Sequence, residues 1–235
     1  AISSGTGTGK TLAFYLPALT HIAGLVKPND YWTKILAIYP RNELLKDQFG
    51  EVIANVRKLD EFLVKKGKRK MIVGIFFGLT PNYSGKNIPI KDEWRKTGSG
   101  YCCPYFVCPN CNQSIIWRRE DYENQIERLV CSNDSCNYCL NEDEIILTRK
   151  RMAKTPPDIL FTTTESLNRQ MSDSQYGKIF GIGIRNTPHL VLLDEIHTYS
   201  GTHGAQVAHL VRRWRYASKA KPVFAGLSAT LKDAR

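Results

Sequence analysis

The chain has 235 residues, 42% hydrophobic and 23% charged, which allows one large core plus a small module and excludes a disordered polar tail. No apolar run approaches the about 18 residues of a membrane-spanning helix, and no secretory leader is visible, so a membrane partner is not expected. The net charge of +11 suits a polyanionic partner, because Lys and Arg release counterions from phosphates on binding.

Strand and helix alternate along the chain. Residues 1–4 read as the end of a strand. They run into Ser4-Gly5-Thr6-Gly7-Thr8-Gly9-Lys10-Thr11, and residues 11–25 then read as a helix. Alternating glycines let backbone N–H groups approach an anion closely, and a helix N-terminus behind them adds its dipole. Gly5, Thr6, Gly7, Thr8 and Gly9 would cradle nucleotide phosphates, Lys10 would reach the β- and γ-phosphates, and the Thr11 hydroxyl would bind Mg²⁺. Ser4 stands where the strict pattern has its first glycine. Residues 35–39 read as a strand, 42–64 as largely helical and 71–77 as a strand.

All seven cysteines fall between Thr80 and Pro157, in a segment with Gly- and Asn-rich edges that we expect to be an inserted module over 82–155. Cys108 and Cys111 have the C-x₂-C spacing that turns two thiolates toward one ion, and Cys131 with Cys136 forms the second knuckle. Four such ligands suit tetrahedral Zn²⁺, which would supply folding energy to a segment with few apolar residues. Ser114–Arg118 and 125–130 read as ribbon strands. Cys136 and Cys139 also have C-x₂-C spacing, so Cys139 is an alternative to Cys131, which is preferred because it directly follows a strand. Cys102 and Cys103 are left over. An odd count clustered in one segment argues against a disulfide framework.

Residues 158–162 read as a strand, 164–171 as a helix and 189–193 as a buried parallel strand ending in Asp194-Glu195-Ile196-His197. Acids at the carboxyl end of such a strand sit where ligands bind. Asp194 would hold Mg²⁺, and Glu195 would orient and deprotonate an attacking water. A helix over 203–219 and a strand over 222–227 close the pattern, giving an α/β fold with a parallel sheet covered by helices on both faces. His21, His203 and His209 fall in helices and read as packing or surface residues. Three basic clusters stand out: Lys65–Lys70, Arg149–Arg151 and Arg212–Arg215. The second leads from the insertion back to the core and is the preferred cluster for nucleic acid.

Together these strings resemble the first RecA-like domain of a DExH-box superfamily 2 helicase, a family in which the first glycine of the phosphate loop is often replaced. Tyr39-Pro40-Arg41-Asn42-Glu43-Leu44 resembles the motif whose loop contacts the nucleic-acid backbone, although Arg41 stands where the family often has Thr. Val73–Thr80 resembles the strand and Gly-x-Thr turn that follow, and Pro157–Leu167 a second backbone-gripping motif. Gly226-Leu227-Ser228-Ala229-Thr230 matches the Ser-Ala-Thr motif that links hydrolysis to strand movement. The resemblance covers nearly the whole chain except roughly residues 82–155, dividing it into a motor half over 1–81 and 156–235 with a zinc-ribbon insertion. A narrower likeness, over Asp194–Gly201, Gly204–Leu210 and Arg212-Arg213, points to large bacterial helicases of the MrfA-like repair and Druantia-type defence groups.

The resemblance implies an ATP-dependent helicase or translocase in the bacterial cytoplasm, with DNA favoured over RNA. It implies that Lys10, Asp194, Glu195 and His197 are catalytic and that Arg41, Asn42, Thr163 and Thr164 touch nucleic acid. It also implies that Ser228 and Thr230 couple the two activities. It further implies a second RecA-like domain with its arginine finger, and partner subunits of a defence or repair complex. The chain starts without Met just before the phosphate loop and stops just after Ser228-Ala229-Thr230, so both ends are expected to be cuts within a longer protein. Without the second domain's arginine the chain alone should hydrolyse ATP poorly. The rival expectation is a zinc-ribbon binding module on a RecA-like scaffold that recognises nucleic acid or protein without unwinding.

Overall fold

The computed structural model describes residues 10–88 and 90–228, with the side chains of Lys10, Thr11 and Leu12 excepted. The expectations for Gly5–Gly9, for the side chains of Lys10 and Thr11, and for Thr230 lie outside the described residues.

In chain order, helix α1 (Lys10–Leu25) leads to strand β1 (Ile35–Tyr39), helices α2 (Asn42–Arg57) and α3 (Asp60–Lys65), and strand β2 (Val73–Phe76). The inserted segment holds β3 (Gly100–Val107), β4 (Ser114–Arg118), α4 (Arg119–Glu123), β5 (Leu129–Cys131) and β6 (Cys139–Leu140). Then come β7 (Ile145–Ile146), α5 (Arg149–Lys154), β8 (Ile159–Thr163), α6 (Thr164–Gln170), β9 (Leu190–Leu193), α7 (Gly201–Ser218) and β10 (Val223–Gly226).

Among the described residues, six strands form one parallel sheet in the order β10-β9-β1-β8-β2-β7. Its centre is β1, whose five residues are all buried, as a strand covered on both faces requires. Side chains alternate between the faces. Ile35, Ala37, Tyr39, Val73, Ile75, Ile159 and Phe161 pack with α1 and α2 on one face. Leu36, Ile38, Phe76, Leu160 and Val191 pack with Leu167 of α6 and Trp214 of α7 on the other. In α2, Leu45, Phe49, Val52, Ile53 and Val56 form the single buried stripe of an amphipathic helix.

The insertion is a separate antiparallel sheet, β3-β4-β5-β6, yet it shares the first core. Phe49 of α2 meets Tyr105 and Phe106 of β3 edge-on, each with ring centroids 5.9 Å apart. Gly100 opens β3 because a Cβ there would lie 2.1 Å from the Trp117 carbonyl oxygen. Residues 125–128, expected to be strand, are a turn at Gln125 (φ 62°, left-handed) followed by irregular chain, and pairing begins at Leu129. At its exit, Ile145–Ile146 adds an edge strand to the large sheet, so residues assigned to the insertion contribute to both sheets.

In two of the basic clusters several cations turn inward, while Lys65, Lys66 and Lys150 stay exposed. Lys68 donates to the carbonyls of Ala23 and Gly24, where a cation suits the C-terminus of α1. Arg69 forks onto Asp158, which also holds the fully buried Lys34 at 2.7 Å. Arg149, in the preferred cluster, donates to the Phe77 and Thr80 carbonyls and lies over the Phe76 ring, and Arg151 donates to Glu127 and the carbonyls of Ile145 and Glu142. Sequence spacing shows that charge is clustered, not which way each guanidinium turns. Arg212, Arg213 and Arg215 remain on the exposed face of α7.

Candidate functional site

Because the six described strands of the large sheet run the same way, their carboxyl ends collect on one edge, and the expected nucleotide, nucleic-acid and coupling residues of the described core fall there. Asp194 and Glu195 follow β9, Ser228 follows β10, Arg41 and Asn42 follow β1 by way of Pro40, and Thr163 and Thr164 end β8 and open α6. The Asp194 backbone N–H still pairs with the Ile38 carbonyl, so the acid is fixed to the sheet beside Tyr39.

Asp194 is 3% exposed, and its Oδ1 accepts from the Glu195 N–H at 2.8 Å. Burial raises its carboxyl to about 6, and it forms no ion pair with a Lys or Arg among the described residues. A buried acid without a fixed cation suits a hard divalent ion that takes oxygen ligands. Glu195 holds a left-handed backbone (φ 50°), uncommon for a residue with a side chain and a form of strain found at functional sites. That turn starts a short 3-10 helix over Ile196–Thr198 and brings Glu195 Oε2 to 3.0 Å from His197 Nδ1. The same nitrogen lies 3.4 Å from Ser228 Oγ, while the Ile196 N–H donates to the Leu227 carbonyl at 2.9 Å. Acid, imidazole and Ser228 are thus bridged across β9 and β10.

On the other side, Arg41 precedes α2 in extended backbone, with its side chain exposed and making no cap hydrogen bond. Asn42 opens α2 and is exposed as well. Thr163 Oγ1 accepts from the Ser166 N–H at 3.2 Å, so this hydroxyl caps α6, leaving the half-buried Thr164 nearer the surface. Sequence reading missed a pair behind these loops: Tyr15 Oη and Tyr39 Oη lie 2.6 Å apart in the core. Burial raises both phenols well above their ordinary range, so both stay neutral. No sequence signal marks such a pair, because aromatic residues in an apolar helix and strand look like any core residues.

In the insertion the Sγ atoms of Cys108, Cys111, Cys131 and Cys136 all lie within 4.8 Å of one another. Cys108 and Cys136 are 3.7 Å apart, Cys111 and Cys131 3.4 Å. A tetrahedron with Zn–S bonds of about 2.3 Å has edges of about 3.8 Å, so the donor set fits zinc. The Gln113 N–H donates to Cys111 and lowers its thiol to about 7. Cys139 is exposed and outside the group, and Cys103 is buried away from it, with burial raising its thiol to about 12.

Comparison with known proteins agrees with this geometry. The family described as DEAD/DEAH box helicase matches residues 1–73 and 119–235. The Druantia protein DruE of Escherichia coli (strain UMEA 4076-1) is 25% identical over 259 residues, taking in 90% of this chain and 14% of DruE. Two solved structures share the fold. The Mycobacterium smegmatis helicase Lhr bound to ssDNA and AMP-PNP has a TM-score of 0.55 at 18% identity, over 98% of this chain and 20% of Lhr. The DUF1998 helicase MrfA has a TM-score of 0.51 at 18% identity, over 98% of this chain and 24% of MrfA. The chain therefore spans a quarter or less of each of these relatives.

Proposed function

We propose, for a chain that belongs to the DEAD/DEAH box helicase family, that it is the first RecA-like half of an ATP-driven motor that moves along nucleic acid, DNA in preference to RNA. The observation that carries this reading is the gathering of Asp194, Glu195, Ser228, Arg41 and Thr164 at one edge of the parallel sheet. That edge is where α/β sheets bind their ligands.

In this reading ATP lies over Gly5–Gly9, with Lys10 on its outer phosphates, and Thr11 and Asp194 hold Mg²⁺. When bound, the ion would neutralise charge on the phosphates. Glu195 orients the attacking water and takes its proton. His197, bridging Glu195 to Ser228, carries the state of that acid to the strand end that continues toward Thr230. Arg41, Asn42 and Thr164, with the backbone at Thr163, grip the nucleic-acid backbone from the adjacent loops. A second RecA-like domain in the same polypeptide supplies the arginine finger, an effect of about 10³–10⁵ in rate, so this half alone is nearly inactive.

DNA is favoured because the relative Lhr was captured with ssDNA and an ATP analogue. The kinship to DruE suggests work beside other subunits of a defence or repair complex, in the bacterial cytoplasm. We keep the division into a motor half over 1–81 and 156–235 and an insertion over 82–155, and we assign structural Zn²⁺ to Cys108, Cys111, Cys131 and Cys136. There the ion would fasten the two cysteine knuckles of a sheet whose aromatic and aliphatic side chains already join the first core.

The decisive experiment is ATP hydrolysis by the full-length protein with and without single-stranded DNA, with RNA of equal length as the second arm. Glu195→Gln should lower the stimulated rate by about 10²–10⁴, the usual weight of a general base. An unchanged rate would overturn the reading, and stronger stimulation by RNA would reverse the substrate preference. Purified protein should also carry about one zinc per chain, lost in Cys108→Ser.

A further inference from the structure

Tyr39 stands where the two halves of the proposed site meet. In β1 it pairs in register with Thr163 of β8, and the next residues of its own chain are Pro40 and Arg41. On its other side Ile38 pairs with Leu193, so the chain turns into Asp194 beside it. Its hydroxyl meets Tyr15 at 2.6 Å, and Tyr15 lies in the helix that Lys10 begins. Phe161, two residues before Thr163, stacks nearly parallel on both rings: 6.1 Å and 12° from Tyr15, 5.7 Å and 10° from Tyr39. Phe49 of α2 closes the stack edge-on at 5.1 Å. Both tyrosines are 1% exposed, so neither hydroxyl has water as an alternative partner.

An apolar pair would fill this space as well. Two phenols instead add one directional bond between α1, which would move with the nucleotide, and the strand that ends at the nucleic-acid loop. We infer that the Tyr15–Tyr39 hydrogen bond is a positioning contact that transmits nucleotide occupancy at α1 to the Arg41–Asn42 loop. This rests on the motor function proposed above. Tyr15 and Tyr39 act through the elements they join and touch no substrate.

Two measurements on the full-length protein test it. In hydrogen exchange, Mg–AMP-PNP should slow exchange over residues 40–45 of the parent and leave that segment unprotected in Tyr39→Phe and Tyr15→Phe. In ATP hydrolysis, the ratio of DNA-stimulated to basal rate should fall about fivefold in either variant, the size of one net hydrogen bond. The double variant should fall no further, since the same bond is lost. A merely structural role would lower the melting temperature and both rates together, leaving the ratio intact. Phenylalanine keeps the packing, so folding is preserved.

The inference is overturned if the parent shows no nucleotide-dependent protection at 40–45, if both variants keep it, or if the two substitutions act additively. A parent with no DNA-stimulated hydrolysis would sink the motor reading instead, while the exchange experiment would still decide the coupling.

Discussion

Glu127 offers the sharpest test of how the insertion is joined to the core. It lies in the insertion, is 1% exposed, and accepts from three groups at the exit: the Leu147 N–H at 2.6 Å, the Thr148 hydroxyl at 2.5 Å and Arg151 Nη1 at 3.2 Å. Thr148 in turn caps α5, which leads into β8. In Glu127→Ala the guanidinium keeps the Ile145 and Glu142 carbonyls, and the threonine hydroxyl can rotate. The Leu147 N–H, buried beneath, is left without an acceptor, at about 1–3 kcal/mol. With the weakened pairing of the half-buried Arg151 added, which keeps only Glu142 Oε1 at 3.7 Å, the total should be about 3 kcal/mol, the low end for breaking a buried ion pair. In Glu127→Gln the amide oxygen still accepts from Leu147 and the amide N–H can donate to Thr148 Oγ1, so only the charge is lost, at about 1 kcal/mol. Thermal denaturation of the zinc-loaded protein should resolve these as drops of about 6–12 °C and 2–4 °C. A Gln variant as unstable as the Ala variant, or an Ala variant within 1 °C of the parent, would refute the argument.

Other outcomes follow from the same contacts. Gly50→Ala removes a helix-interior glycine of α2, worth about 1 kcal/mol, but its Cβ would sit 2.9 Å from Phe106 Cβ. That atom is tied to the β3 backbone and cannot swing aside, so overpacking of about 1–3 kcal/mol should win and the variant should melt lower; a stabilised variant would show that β3 yields freely. Metal analysis should separate the cysteines: Cys131→Ser loses zinc and Cys139→Ser keeps it, whereas the reverse would move the fourth ligand to Cys139. Asp60 is raised to about 6, first by burial and against the pull of Arg57. Its folded pKa lies above the unfolded one, so its contribution is fully present below about 3.8 and lost as pH rises through about 6. The parent's melting temperature should therefore fall more steeply than that of Asp60→Asn across this window, and parallel curves would show that Asp60 is not the group responsible.

The sheet was legible in the chain because its strands are buried on both faces and so read as unbroken apolar runs, as at Ile35–Tyr39 and Leu190–Leu193. The place of Asp194–Glu195 at the end of a sheet strand and the pairing of Cys108 with Cys111 were equally legible, since both depend on local spacing. The parts that sequence could not decide are those in which a side chain chooses among distant partners. Nothing in Lys65–Lys70 or Arg149–Arg151 says that Lys68, Arg69, Lys70, Arg149 and Arg151 turn inward to carbonyls and to Asp158, Glu127 and Glu144 while Lys65, Lys66 and Lys150 stay exposed. Nor does spacing say whether Cys131 or Cys139 meets the other three sulfurs, because that depends on the pairing of β5 with β4. The meeting of Tyr15 with Tyr39, and of Glu127 with Thr148, exists only once helices and strands far apart in the chain pack on one core. Local periodicity and motif chemistry are written residue by residue, whereas the direction of a charge or a hydroxyl is set by whichever partner the folded core leaves within reach.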